Sequence, residues 1–441
     1  MNVSELINMF SALEKRLDDT GADKKEVDAA KASIKNLLAE AQKLENNNIA
    51  IMKDEIKSEL LDHIIPFWNA LRDDEFGGWY GEVDSALNVN KKAEKGVILH
   101  SRILWFYSNA YMALKDPKLL DNAKHAYEFL TEKCYDKEYG GVYWMVNYDG
   151  TPADDMKHSY CNAFFIYALA SYYRACGDKN ALDIAYKVFE LIENNHADDI
   201  AYREKLSRDL TKELANDELS ENGLMADKTV NTTLHLMEAY TELYLADKNE
   251  KVLERLKFQM NLTYDKIYDK NGDKLMVFFD KDMNEIGDVY SYGHDIEATW
   301  LIDRAADVIG DEEFAKKFRE MNSKIAAKIA KTAYDKESGS LLNESDKGVV
   351  NRTRIWWVQA ESVVGFMNAH QRGYGDYIAI AENIWDYIIN NISDKRPGGE
   401  WQWSLDEGGK PDPKNNIVDP WKCPYHNGRM CLEVLRRLED K

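Results

Sequence analysis

Residues 97–134 read VILHSRILWFYSNAYMALKDPKLLDNAKHAYEFLTEKC. Apolar residues recur at helical spacing on both sides of Asp116, so the stretch predicts two helices, 97–115 and 118–134, joined by a small polar turn. The same arrangement returns along the chain. Comparable turns hold Asp116, Asp178, Asp247, Asp311 and Asp376, at spacings of 62, 69, 64 and 65 residues. Such regularity marks a repeated supersecondary unit. Helices are expected at 156–176 and 179–195, 224–246 and 249–268, 293–309 and 311–332, and 354–372 and 376–393. Adding 53–71 at the start and 422–438 at the end makes six pairs.

Between the pairs lie segments with strand-like alternation and Gly-rich turns: Gly77-Gly-Trp-Tyr-Gly81, Gly140-Gly-Val-Tyr-Trp144, Lys274-Leu-Met-Val-Phe-Phe279 and Gly398-Gly-Glu-Trp-Gln-Trp403. These read as short β-hairpin loops at one end of the body. The expected fold is all-α, an (α/α)6 barrel of six helix pairs, with inner helices lining a cleft that the hairpins wall. The alternative is an open solenoid. The amphipathic first and last helices, with no polar capping repeat, favour closure.

Residues 1–51 differ from the body. Phe10 is their one aromatic, and Leu6, Phe10, Leu13 and Leu17, then Val27, Ala30, Ile34, Leu37, Ala41 and Leu44, follow heptad-like steps. They predict a helical hairpin, its first helix ended by Gly21 and its second capped by Asp23 and Glu26. Asn46-Asn-Asn48 reads as a linker. The expected organisation is an N-terminal extension, 1–51, and a catalytic barrel, 52–441. The extension is expected to self-associate, to dock on the barrel, or to be an appendage without catalytic role.

The net charge of −21 argues against nucleic acid, which needs a basic patch, and against anionic membranes. A neutral polar ligand fits better. The five cysteines are widely spaced with no CxxC, as expected for reduced thiols in a cytoplasmic protein. Neither a signal peptide nor an apolar run approaching the ~20 residues of a membrane span is expected.

Four segments carry candidate chemistry. Asp227, Asn231 and His235 are four apart, which places them on one helical stripe facing a polar cavity or solvent. His294 and Glu297 are three apart, so the carboxylate can orient the imidazole and raise its pKa, or the pair can simply cap a helix. Arg102 lies in an aromatic-rich helix beside His100, as a core ion pair or a clamp for an oxyanion. Asp419-Pro-Trp-Lys-Cys-Pro-Tyr-His-Asn-Gly-Arg-Met430 is a Pro-stiffened loop that delivers Trp421, Tyr425 and His426 to the mouth of the last helix. The adjacent Trp356 and Trp357 cannot share a helix face, so one is expected in the core and the other elsewhere. His158 and Tyr160 open a helix and are weaker cleft candidates. His63, His125, His196 and His370 read as structural. A metal site from His235, His294, Glu297 and His426 has no HExxH or other tight ligand spacing behind it, so no metal is expected. There is no P-loop, no dinucleotide GxGxxG and no GxSxG elbow.

These segments resemble the N-acylglucosamine 2-epimerase superfamily. The likeness rests on Asp62-His-Ile-Ile-Pro-Phe-Trp68, Lys95-Gly-Val-Ile-Leu-His-Ser-Arg102, Ser291-Tyr-Gly-His-Asp-Ile-Glu-Ala-Thr-Trp300, Trp356-Trp-Val-Gln-Ala-Glu361 and Trp421-Lys-Cys-Pro-Tyr-His-Asn-Gly-Arg429. It covers the chain from Met52 onward. It implies an (α/α)6 barrel that works without metal or nucleotide cofactor. It further implies C2 epimerisation of the reducing-end glucose of β-1,4-linked disaccharides, through a cis-enediolate. In that reading His294 and His426 are the acid/base pair, His235 assists ring opening, Arg102 polarises the enediolate oxygen and Glu297 orients His294. Asp227 and Asn231 would bind hydroxyls, with Trp357 and Trp421 stacked on the rings. Rival readings are N-acylglucosamine 2-epimerase and aldose–ketose isomerase chemistry, glycoside hydrolysis by Asp227 and Glu297, and a non-catalytic binding barrel. Two ordinary imidazoles predict a rate that falls on the acid side near pH ~6–7.

Overall fold

The computed structural model of the chain describes residues 3–17, 23–216 and 224–439. Gly21, the expected end of the first helix, lies outside them. The extension forms α1 (Val3–Arg16) and α2 (Lys24–Ser58), the latter capped by Asp23 through Lys25 N. Helix α2 runs on through a π turn, Glu59–Ile64, into α3 (Ile65–Ala70). The linker expected at Asn46–Asn48 is therefore helical. Three asparagines cost only tenths of a kcal/mol each in a helix, and the buried face of Ala41, Met52 and Ile56 around them outweighs that. Helix α1 folds back along α2 and touches the barrel, where Asn8 Nδ2 donates to Asp376 Oδ2 at 2.7 Å.

The barrel then alternates inner and outer helices: α4 (Val97–Leu114), α5 (Pro117–Phe129), α6 (Ser159–Cys176), α7 (Lys179–Leu191), α8 (Val230–Asp247) and α9 (Glu250–Leu262). It continues with α10 (Tyr292–Ile309), α11 (Glu312–Thr332), α12 (Trp356–Gln371), α13 (Ile378–Tyr387) and α14 (His426–Glu439). Helices α4, α6, α8, α10, α12 and α14 are buried on nearly every side, and each packs on the next. Helix α14 packs on α12, α4 and α2, so the last helix pairs with the first and the ring closes. This is the expected (α/α)6 barrel, not a solenoid.

Three inner helices begin later than expected, at Ser159, Val230 and His426. Two of the lost segments are held in strand pairs: Lys157–His158 with Lys205–Leu206, and Lys228–Thr229 with Phe278–Phe279. Lys95–Gly96, Val289–Ser291 and Arg354–Ile355 pair likewise with the hairpin that follows them. All six inner helices thus open at the hairpin end, where Val83 pairs with Val418 to complete the circle.

A ring of buried ion pairs sits under these strands. Lys95 meets Asp73 at 2.7 Å, Lys157 meets Asp136 at 2.9 Å and Arg354 meets Asp335 at 2.7 Å, while Lys228 pairs with Asp198 and Lys422 with Glu400. Each Asp also accepts backbone N–H groups from its own turn, as Asp73 does from Glu75 and Phe76. The fourth inner helix breaks the series, with Tyr290 in the place of the cation. One turn deeper, His100, Asn162, Asp295 and Gln359 accept N–H bonds from Trp79, Val142, Leu275 and Leu341. His100 is therefore a structural acceptor, and burial takes its imidazole down to about 3.

Removing one partner of a buried pair leaves an uncompensated charge and costs about 3–5 kcal/mol, whereas an exposed pair costs below about 1. Lys95→Met is expected to lower the urea midpoint markedly, and Lys124→Met, which breaks only the exposed 3.7 Å contact to Glu128, to leave it nearly unchanged.

Candidate active site

The first turns of the inner helices line one cleft at the hairpin end. Arg102 comes from α4, Tyr160 from α6, Asn231 and His235 from α8, His294 and Glu297 from α10, Trp356 and Trp357 from α12, and His426 from α14. The loops add Ser291, Asn343, Trp403 and Trp421. The second and sixth residues of a helix share a face. That register puts Asn231 with His235, and Trp357 with Glu361, towards the axis. The positive ends of the inner-helix dipoles converge on the same space and favour negative charge there.

Asp227 does not join this stripe. It precedes α8 in extended chain, its N–H bonded to Phe279 O, and it is not among the residues lining the cleft. The strand pairing of Lys228–Thr229 delays the helix, so the i, i+4 step from Asp227 to Asn231 is never made. Trp356 is buried against Trp403, while Trp357 is half-exposed in the cleft. Trp357 touches both catalytic candidates, its ring lying 4.9 Å from His294 and 5.6 Å from His426. Gly293 permits this closeness, since a Cβ there would stand 2.5 Å from the Trp357 ring.

Under the histidines lies one guanidinium among three carboxylates. Arg429 pairs with Glu238, Glu297 and Glu361, all about 1% exposed. Glu238 Oε2 holds His235 Nδ1 at 2.9 Å, and Glu361 Oε1 holds His426 Nδ1 at 2.7 Å. Tyr425 O–H donates to Glu238 and Trp300 Nε1 to Glu361. Glu297 does not orient His294, contrary to expectation. Its carboxyl is drawn to Arg429, and His294 Nδ1 bonds Ser291 Oγ at 2.7 Å instead. Arg102 donates to Tyr160 O–H at 2.6 Å and to Trp421 O at 3.0 Å, and its plane lies 4.2 Å from the centre of the Phe164 ring. His158 caps α6 and does not line the cleft.

The cluster sets its own protonation. Burial, then the field of Glu361, holds Glu297 well above the usual carboxylate range. Burial also raises Glu361 against the pull of Arg429. Glu238 stays low, because Arg429 and His235 outweigh its burial. Burial drives His294 down to about 3 and His426 well below its ordinary value, the latter helped by Arg102 and Arg429. His235 is lowered as well, its desolvation exceeding the effect of Glu238. The expected raising of an imidazole by a neighbouring carboxylate is thus reversed, and the three rings are neutral at pH 7. Glu297, Glu361 and His426 bring ligand atoms within 4.8 Å of one another, a spacing that suits a cation. Arg429 Nη2 already fills that place, reaching both carboxylates.

Glu238, Glu361, Arg429 and Ser291 were not singled out as site residues by sequence. Glu238 carried a usable signal, since it stands three residues after His235 as Glu297 does after His294. Glu361 is 65 residues from His426, and no local spacing reports that contact.

Three neutral imidazoles and a buried cation at the open end of a helical barrel define an acid–base enzyme of the (α/α)6 class. The family model for N-acylglucosamine 2-epimerase (GlcNAc 2-epimerase) matches residues 77–428, and the chain belongs to that family of carbohydrate epimerases. A cellobiose 2-epimerase of Ruminococcus albus is 58% identical over 391 residues, spanning 88% of this chain and 100% of that protein. The crystal structure of a sugar epimerase from a ruminal bacterium matches with a TM-score of 0.86 at 57% identity, covering 88% of this chain and 99% of that one. The cellobiose 2-epimerase of Bacillus thermoamylovorans matches at 0.85 and 45%, covering 88% and 100%. No helix among the described residues is long and apolar enough to cross a membrane.

Arg429→Met would leave three buried carboxyl groups facing one another. Their folded-state pKa values would rise above the unfolded ones, so stability is lost as pH rises through them. The variant is expected to be less stable than the parent by about 3–5 kcal/mol near pH 8 and by less near pH 5. Urea unfolding of both proteins at the two pH values checks this.

Proposed function

We propose that the chain inverts C2 of the reducing-end glucose of β-1,4-linked disaccharides, converting cellobiose to 4-O-β-glucosyl-mannose and lactose to epilactose. The observation that carries the reading is the pair of neutral imidazoles, His294 and His426, both against Trp357 in one cleft. The names of the relatives support the disaccharide.

The C2 proton becomes acidic only once the ring opens and C1 is an aldehyde. His235, with Nδ1 held by Glu238, has a free Nε2 to assist that opening. One of His294 and His426 then removes the C2 proton, and the C–H electrons form the C1–C2 double bond of a cis-enediolate. The other returns a proton to the opposite face. Neutral rings suit proton removal, and a positioned acid–base group contributes about 10²–10⁴-fold. Arg102 and the helix N-termini stabilise the developing oxyanion, an effect on the order of ~3 kcal/mol for one good donor. Arg102 Nε and Asn231 Oδ1 are buried with unmet hydrogen-bonding capacity, which sugar hydroxyls would satisfy. Trp357 and Trp421 offer faces to the sugar rings.

Hydrolysis is disfavoured. Of the two carboxylates nominated for it, Glu297 is committed to Arg429 and Asp227 lies off the cleft, so they cannot flank a glycosidic bond.

Proton NMR of cellobiose in D2O tests the proposal. Deuterium is expected at C2 with the mannose epimer appearing, and His426→Asn should do neither. Release of glucose would overturn it. The pH profile of kcat/KM provides a second test. Because burial lowers both imidazoles, the rate should hold as pH falls through the ordinary histidine value of about 6.5, instead of dropping there.

A further inference from the structure

We propose that Ser291 fixes the tautomer of His294, so that this ring presents an N–H to the cleft while His235 and His426 present bare nitrogens. The inference rests on the catalytic reading of the cleft given above.

The Nδ1 atoms of His235 and His426 face carboxylate oxygens at 2.9 and 2.7 Å. Both carboxylates are ringed by groups that only donate or that spend their proton there. Glu361 receives Trp300 Nε1 on one oxygen and Arg429 on the other, and Glu238 receives Arg429 and Tyr425. An ionised carboxylate accepts and cannot donate. The ring proton of His235 and of His426 therefore sits on Nδ1, and Nε2 is a lone pair.

His294 has no such partner. Its Nδ1 meets the Ser291 hydroxyl at 2.7 Å, and Glu297 is turned away to Arg429. A hydroxyl has one proton to give and two lone pairs. Ser291 is the N-cap of α10, and its oxygen accepts the backbone N–H of His294 at 3.4 Å. Its own proton has one acceptor within reach, Nδ1 of His294. That bond occupies the Nδ1 lone pair and leaves the ring proton on Nε2. The strand register opposite Glu344 holds Ser291 in place. One residue thus caps the helix and orients the ring, and the cleft holds both kinds of imidazole before any sugar enters. Ser291 acts through His294 and is a positioning residue.

The test uses the full-length protein labelled with 15N-histidine. Long-range proton–nitrogen correlation spectra distinguish the two neutral tautomers directly. His294 signals, identified by their loss in His294→Gln, are expected in the Nε2–H pattern, and those of His235 and His426 in the Nδ1–H pattern. Ser291→Asp keeps a good helix cap but supplies an oxygen that only accepts. It should flip His294 to Nδ1–H and lower kcat on the order of 10²-fold with little change in KM. Ser291→Thr keeps the hydroxyl and should restore both the Nε2–H pattern and most of kcat. An Nδ1–H pattern for His294 in the unmodified protein overturns the proposal, as does an Asp variant with unchanged tautomer. The spectrum of the unmodified protein decides alone if the Asp variant does not fold. It also decides whether or not cellobiose is the substrate, so a wrong disaccharide and a wrong tautomer give different results.

Discussion

Arg429 is the interaction on which the site depends. Without its charge, Glu238, Glu297 and Glu361 would be three carboxyl groups in a space with almost no water. Such a group relieves its desolvation by taking a proton, and a protonated carboxyl could no longer hold the Nδ1–H of a histidine unambiguously. The guanidinium keeps Glu238 and Glu361 as acceptors, and they in turn aim His235 and His426. One residue in the first turn of the last helix thereby governs rings contributed by two different helices. Its planar fork matters, because Nη1 serves Glu238 while Nη2 bridges Glu297 and Glu361.

The same burial explains why the imidazoles are unprotonated despite carboxylates beside them. Two charges attract more strongly in a poor dielectric, but each also loses more solvation on entering it. At His235 the second effect is larger, and at His426 two neighbouring guanidinium groups add to it. The site therefore keeps its proton acceptors ready through burial rather than through a pKa near the working pH.

The barrel was legible because its repeat is written in local features: helical periodicity, polar turns and glycine-rich hairpins recurring at a steady interval. The cleft residues at helix starts were legible for a related reason, since motifs near Arg102, His294, Trp357 and His426 are compact. What escaped was set by contacts across the ring. Glu361 reaches His426 from another helix, and Glu297 chose Arg429 over the histidine three residues away. Spacing says which groups can meet on a helix, not which competitor wins. Asp227 failed differently, because a two-residue strand pair moved the helix start past it. The asparagines at 46–48 looked like a break only when read without the buried face that carries α2 through them.

The ring of ion pairs and the axial side chains occupy separate registers of the same repeat. Cations two residues before an inner helix hold the hairpin end together, and acceptors in the first turn pin the adjoining backbone. The residues facing the axis differ from helix to helix and are largely spared this structural duty. Such a division makes the barrel evolvable. Chemistry at the centre can be exchanged one helix at a time while the frame that orients it is left alone, and a redesign for another sugar would begin with those axial positions.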